Sequence, residues 1–309
     1  MRSRCSSYRQ RTVAIASTVR MILIAFTCLG LSGAIVVAQN SKTNSNAVNR
    51  SAETRLEDFS PSNFSNSTLI DNEWMPLKPG MRFVYDGTNV EEDGTSVPHR
   101  IVITVTDLTK MIGGIRSVVT WDEDYNDGQL EEAELAFFAQ DKDGNVWRMG
   151  EYPEEYDGGK FVAASPWLHG LEGARAGIEM MAKPRLGTPS YAQGWGPAVN
   201  WTDRGQVDQV GQKTTVPAGH YEDVLVIAET SQSEPDAQQL KYFAHGVGNV
   251  RVTWRGTGER TKETLELTKI EKLDATALAK VRAAALKLEK SGYQKSKNVY
   301  AHTPPAAPM

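Results

Sequence analysis

Thirteen Asp or Glu residues crowd into the 37 positions from Trp121 to Asp157, against two bases, Lys142 and Arg148, so this stretch carries a net charge of −11. It also holds the clearest strand signals in the chain. Ala133–Gln140 and Asn145–Gly150 are apolar or aromatic-rich runs joined by Asp141-Lys142-Asp143-Gly144. An Asp-Gly pair between such runs predicts a β-hairpin, because both turn positions favour φ > 0. Any fold of this chain must therefore lay its densest charge on paired strands.

The flanking sequence extends the same pattern. Met81–Asp86 reads as a first strand. Arg100–Asp107 alternates, with Ile101, Ile103 and Val105 on one face and Val102, Thr104 and Thr106 on the other, and Ile115–Trp121 follows a Gly113-Gly114 turn. Such period-2 alternation marks a half-buried antiparallel sheet. Lys160–Ala163 is a short strand candidate. Ser165–Tyr191, interrupted by Gly170, Gly173 and Gly177 and stopped by Pro184, reads as a long ordered loop with one helical turn at Ile178–Met181. Strands resume at Gln206–Val210, Lys213–Val216, Asp223–Glu229, Gln239–Ala244, Val250–Arg255 and Thr264–Ile270. No helix of crossover length separates consecutive strands, which disfavours a parallel sheet. The expected fold is mainly antiparallel β over residues 69–273, one strongly curved sheet or open barrel with long loops and a C-terminal helix. Asp274 caps that helix over residues 274–292, with Gly292 as its terminator and Leu278, Val281, Ala285 and Leu288 as its apolar stripe. The tail, 293–309, reads as disordered.

The N-terminus has Arg2, Arg4, Arg9, Arg11 and Arg20 with no acid, followed by MILIAFTCLGLSGAIVVA. A basic leader, an apolar run and a small final residue describe a secretory signal peptide over 1–38, cleaved after Val36-Val37-Ala38. The alternative is an uncleaved anchor, the run being near the lower limit for spanning a bilayer. Cleavage leaves 29 bases and 38 acids, a net charge of −9, and removes Cys5 and Cys28, the two cysteines of the chain. A thiol nucleophile, a thiolate metal site and a disulfide are then excluded. With the acidic stretch set aside, the remainder is about neutral, which argues against nucleic acid as a partner. Residues 39–68 are rich in Ser and Asn and read as a disordered polar linker.

The blocks DNEWMPLKPGMRFVYDG, DYNDGQLEE, FFAQDKDGNVWRMGE, WLHGLEGARAGIEMMAKPRLG, VPAGHYEDVLV and LKYFAHGVGNV occur in that order between Ile70 and Arg251. Together they resemble a family of uncharacterised exported bacterial proteins. The resemblance implies an exported β-rich domain and no catalytic activity. The chain departs from the family pattern at Gly194 and at Val199-Asn200, where acids are usual.

Motifs for catalysis are missing. His99, His169, His220, His245 and His302 show no zinc spacing and no nucleophile-elbow context, and no phosphate-binding glycine loop opens a helix. Two weak sites remain. Asp122, Asp124 and Asn126 at alternate positions, with Glu134 closing, offer oxygen ligands for calcium, although the spacing is not that of an EF-hand. The bland alternative is a turn at Asn126-Asp127-Gly128 with its acids facing water. Trp167, Trp195 and Trp201 fall in irregular loops and suit a hydrophobic, peptide or glycan ligand, or else plug the open end of a curved sheet. The expected function is an exported, periplasmic or extracellular, non-catalytic binding module without an organic cofactor. The alternatives are a hydrolase of an envelope polymer working through paired carboxylates, or a purely structural surface protein. The membrane enters only through the leader, should that stay uncleaved.

Overall fold

A computed structural model describes residues 55–90, 94–258 and 262–309. The expected signal peptide, its cleavage site and most of the linker lie outside them. The described strands are β1 (Met81–Val90), β2 (Ser96–Ile112), β3 (Ile115–Asn126), β4 (Gln129–Gln140), β5 (Val146–Asp157), β6 (Lys160–Ala163), β7 (Trp167–Leu168), β8 (Arg175–Met180), β9 (Tyr191–Ala192), β10 (Gly194–Trp195), β11 (Arg204–Val216), β12 (Gly219–Ser231), β13 (Glu234–Ala244), β14 (Gly248–Gly256), β15 (Thr264–Lys272) and β16 (Ala307–Pro308). Helix α1 spans Ala275–Lys295.

All pairings are antiparallel. The sheet runs β8-β5-β4-β3-β2-β1-β15-β14-β13-β12-β11, so the first and last long strands sit side by side at its middle. Its two ends then come together on one short segment. β10 pairs with β8 and β9 pairs with β11, and only Gln193 separates β9 from β10. The sheet is therefore strongly curled without a closed ladder, the curved sheet expected from the strand spacing.

Curling gives the sheet two apolar layers. Side chains from eleven strands, among them Val105, Val118, Phe138, Val146, Met180, Leu225, Phe243 and Leu267, meet in one buried cluster, which is the concave interior. Trp121, Leu135, Phe137, Trp147 and Met149, alternating with them on β3 to β5, form a second cluster on the convex face. Val281, Ala285 and Leu288 of α1 cover it together with Tyr300. Strands covered on both faces read as long apolar runs, which is what β4 shows.

The two hairpin turns of the acidic stretch exchange roles relative to expectation. Asp127 (φ 47°) and Gly128 (φ 74°) form the two-residue turn with both positions left-handed. In the Asp141–Gly144 turn the left-handed position is Gly144 alone, at φ 88°. The Asp141 carboxylate organises that turn instead. It accepts from Asp143 N (3.0 Å), Asn145 N (2.8 Å), Asn145 Nδ2 (2.9 Å) and the buried Trp147 Nε1 (2.8 Å). Asp141→Ala leaves the indole N–H buried without its acceptor, so a loss of about 2–3 kcal/mol is expected in urea denaturation.

Several elements differ from the sequence reading. Residues 55–68 are packed rather than free. Phe59 and Phe64 lie 5.4 and 5.9 Å from the Trp147 ring, and Ser67 O accepts from Gln140 N at 2.9 Å. The stretch read as a loop holds β7 and β8, and Ile178 to Met180 is strand rather than a helical turn. The tail is also ordered: β16 pairs with β2, and Tyr300 is fully buried. Asp274 caps α1 as expected, accepting from Ala277 N. Gly292 does not end the helix, which continues to Lys295. Its glycine is needed because a Cβ there would stand 2.8 Å from the Tyr300 ring. Among the described residues no helix is long and apolar enough to cross a membrane.

Candidate functional site

Along the concave face each strand passes from apolar to charged in the same direction. On β4 the inward side chains are Phe138, Ala136, Glu134 and Glu132, and on β3 they are Val118, Thr120, Asp122 and Asp124. On β13 Phe243 gives way to Lys241 and Gln239. On β2 Val105, Ile103 and Ile101 lead to the buried His99, and on β5 Val146 leads to Arg148. One end of the curl is thus an ordinary core, and the other is a charged interior.

That interior holds a partly open cavity of about 240 Å3, lined by Asp122, Asp124, Glu132, Glu134, Glu263, Arg148 and Lys241, with Tyr85, Ile101, Ile103, Val252 and Leu265 as the apolar wall. Asp122 stands opposite Glu134 across the β3–β4 ladder, and Asp124 opposite Glu132. Like charges directly facing each other on paired strands are destabilising unless something compensates.

Compensation is partial. Arg148 bonds Glu151 (Nη1 to Oε2, 2.7 Å) and Glu179 (Nε to Oε2, 2.9 Å), and stands 3.8 Å from Glu134 Oε1. Lys241 Nζ lies 2.6 Å from Glu229 Oε2. His99 is held between Glu263 (Nε2 to Oε1, 2.9 Å) and Asp124 (Nδ1 to Oδ1, 3.3 Å), with Asn126 Oδ1 also 2.7 Å from Nδ1. Eight carboxylates (Asp122, Asp124, Glu132, Glu134, Glu151, Glu179, Glu229 and Glu263) thus face three cations. Asp122 Oδ1 and Glu134 Oε1 accept no hydrogen bond, and Asp124 Oδ1 has only the 3.3 Å ion pair with His99.

The electrostatics follow from that count. Burial first, then the charges of Glu151 and Glu123, push Asp122 up to about 7 against the pull of Thr120 and Arg148. Burial also takes Asp124 up to about 7, against the pull of His99. Burial and the neighbouring acids, Asp124 foremost, carry Glu132 up to about 8, and burial with the charges of Glu151 and Glu132 lifts Glu134 well above its ordinary value against the pull of Arg148. Burial raises Glu151 as well. Glu179 is the opposite case: Arg148 and Lys241 outweigh its burial and hold it low. His99 is raised to about 9, since Glu263 and Asp124 together overcome burial. It is therefore an imidazolium at neutral pH and unsuited to act as a general base.

Three of the four candidate calcium ligands, Asp122, Asp124 and Glu134, meet at this cavity. Asn126 sits beyond it, bonded to His99, to Asn89 Nδ2 (2.9 Å) and to Glu131. Among the described residues no three His, Cys, Asp or Glu side chains are grouped to hold a metal ion. Asp122, Asp124, Glu132 and Glu134 line the partly open cavity and are partly exposed there, and Asp127 and Gly128 make the turn that the water-facing alternative names. Trp167 is buried and stacks on Trp201 with ring centroids 4.6 Å apart. Both rings rest on the joining segment, where a Cβ at Gly194 would meet Trp167 at 2.5 Å and Trp201 at 2.8 Å. Trp195, half-buried, lies in β10. The pair packs on the segment where the ends of the sheet meet.

Sequence reasoning passed over His99, Arg148, Lys241 and Glu263. For Lys241 the signal was present: it shares the alternation phase of Phe243.

No family model and no curated protein matches the chain. Similar solved structures include a protein described as exported, with a YmcC-like fold, from Bacteroides fragilis, at 12% identity, and one described as a lipoprotein from Parabacteroides distasonis, at 11%. Each match covers 65% of this chain and all of the other, with a TM-score of 0.35. Likeness at that level carries no inference to this chain.

Proposed function

We propose that the domain is an exported, non-catalytic binding module that holds a small polar ligand in the charged interior of its curled sheet. The basic leader and apolar run support export. The observation that carries the binding reading is the cavity itself: a mixed wall of carboxylates and aliphatic side chains, with buried oxygens left unpartnered. Cores of soluble domains bury charge only when it is matched, so an unmatched interior charge fits a site better than a scaffold. Its volume suits a ligand of about ten non-hydrogen atoms, since a 150 Å3 cavity takes benzene. Acid–base hydrolysis needs paired carboxylates whose proton affinities are driven apart. Asp122, Asp124, Glu132 and Glu134 are all displaced upward, and Glu179, the interior acid held low, is tied to Arg148 at 2.9 Å, which favours binding over hydrolysis.

Native mass spectrometry of the chain purified from its own host tests this. A retained non-covalent mass is expected on the natural chain and not on Ile103→Trp, which fills the cavity. Identical spectra without any adduct would count against the reading.

A further inference from the structure

We infer that the outer face of α1, with the β5–β6 hairpin beside it, docks on an anionic lipid surface. This face belongs to the convex side of the sheet, so the inference goes beyond the binding reading of the cavity and does not rest on it.

Charge is sorted along this chain. From Ala275 to Met309 there are six Lys or Arg and one acid, Glu289, a net +5 in a chain that sums to −4. Glu289 is buried on Lys110, and Asp274, before the helix, is engaged as its N-cap. The sheet answers two of the six bases, Asp107 binding Arg282 and Glu154 binding Lys295. Lys280, Lys287 and Lys290 are exposed and meet no acid among the described residues, and Lys297 donates to the Tyr293 carbonyl.

The spacing of these lysines suits an extended partner. Lys280 and Lys290 are ten residues apart in α1, about 15 Å along its axis. The side chains exposed between them include Ala283 and, just before, Ala279, too short to wall in a small anion. A second copy of the helix would bring like charges face to face, which opposes self-association.

Exposed apolar side chains collect at the same place, an observation independent of charge. Of the eight large apolar side chains left exposed among the described residues, four belong here. Leu286 is on α1. Phe161 and Val162 are on β6, where Lys295 Nζ sits 3.2 Å from the centre of the Phe161 ring. Met309 follows β16, and its N–H bonds to Asp107, the residue that holds Arg282. Asp157, at the hairpin tip, stands opposite Lys160. Lysines set among exposed apolar groups are how a helix lies on an anionic bilayer, ammonium groups at the phosphates and apolar groups at the acyl boundary.

Co-sedimentation with vesicles tests this, using the chain in the form its host exports. Vesicles of phosphatidylglycerol and phosphatidylcholine in equal parts are compared with phosphatidylcholine alone. Binding is expected on the mixed vesicles, weakening as salt rises from about 50 to about 500 mM. Each free lysine near such a surface contributes about fivefold in affinity. Lys280→Gln, Lys287→Gln and Lys290→Gln together should therefore lower it about a hundredfold. The same loss of charge placed elsewhere, Lys78→Gln with Lys142→Gln and Lys183→Gln, should leave it within about twofold. Phe161→Ser should cost about fivefold at either salt level. Melting curves confirm that the variants are folded. Equal binding to the two kinds of vesicle, or an equal loss in the two triple variants, would overturn the inference. No binding to the mixed vesicles would overturn it too. Binding of poly-glutamate in that case, lost in the α1 triple variant, would make the partner an acidic polypeptide instead of a lipid surface.

Discussion

Glu289→Ala should lower the stability of the chain by about 3–5 kcal/mol, the loss typical of breaking a buried ion pair from one side. Its partner, Lys110 on β2, has a side chain with no exposed surface. The Lys110 ammonium donates to Glu289 Oε1 (2.7 Å), Tyr293 OH (2.9 Å) and Pro304 O (2.9 Å), and stands 4.3 Å from the Tyr300 ring centre. Burial lowers its pKa, and Glu289 works against that. Glu289 Oε1 also accepts from Ala306 N at 2.8 Å. Every named partner lies between residues 289 and 306, so one ammonium ties the last helix and the tail to the convex face. Removing Glu289 strands both the charge and a backbone N–H. The double change Lys110→Met with Glu289→Leu should recover most of the loss, because apolar replacement of a buried pair is often neutral. Urea denaturation of the three proteins decides it; a loss below about 1 kcal/mol in the single variant would show that the pair anchors nothing.

The second large effect is on pH. Stability should fall as pH rises from 5 to 8, by about 2–4 kcal/mol for each interior carboxyl that gives up its proton, the reverse of the usual behaviour of an acidic protein held by salt bridges. Asp122, Asp124 and Glu132 start from ordinary values of 3.8, 3.8 and 4.5 and reach about 7, 7 and 8 in the fold. Between those limits the folded state binds more protons than the unfolded one, so each unit of pH weakens it. His99, raised from 6.5 to about 9, adds the same sign: its contribution is complete below 6.5 and is lost through 9. The groups held low, among them Glu179, Asp86 and Asp107, act oppositely, but only as pH drops below their ordinary carboxylate range. Maximum stability should therefore lie near pH 5. Neutralising the interior with Asp124→Asn and Glu132→Gln should raise stability at pH 8. Such a gain is expected where charge is retained for function rather than for folding.

The strand pattern was legible because period-2 alternation writes the two faces of a sheet directly. Ile101, Ile103 and Val105 do share a face, and the acidic hairpin forms where its turn residues say. What alternation does not give is which face becomes the inside once a sheet curls. Acids at Asp122, Asp124, Glu132 and Glu134 read as the wet side, yet the convex side of β3 and β4 was already committed to Trp121, Leu135 and Phe137 beneath α1. With both faces covered, these acids are left on the wall of the partly open cavity. The tail was missed for a related reason: few apolar residues follow Tyr293, and its order comes from Lys110, 183 residues before Tyr293 in sequence. The curl itself depends on glycines at 194 and 196, whose need becomes visible once Trp167 and Trp201 are seen lying on them.

Carbon-13 NMR of the carboxyl groups across a pH titration tests the protonated interior most directly. With Asp and Glu labelled, at least three carboxyl signals should titrate between about pH 6 and 9, and Asp122→Asn, Asp124→Asn and Glu132→Gln should each remove one. If every carboxyl signal of the folded chain titrates below about pH 5, the interior holds no protons at neutral pH, and the account of this cavity as an interior kept neutral by protonated carboxyls is contradicted.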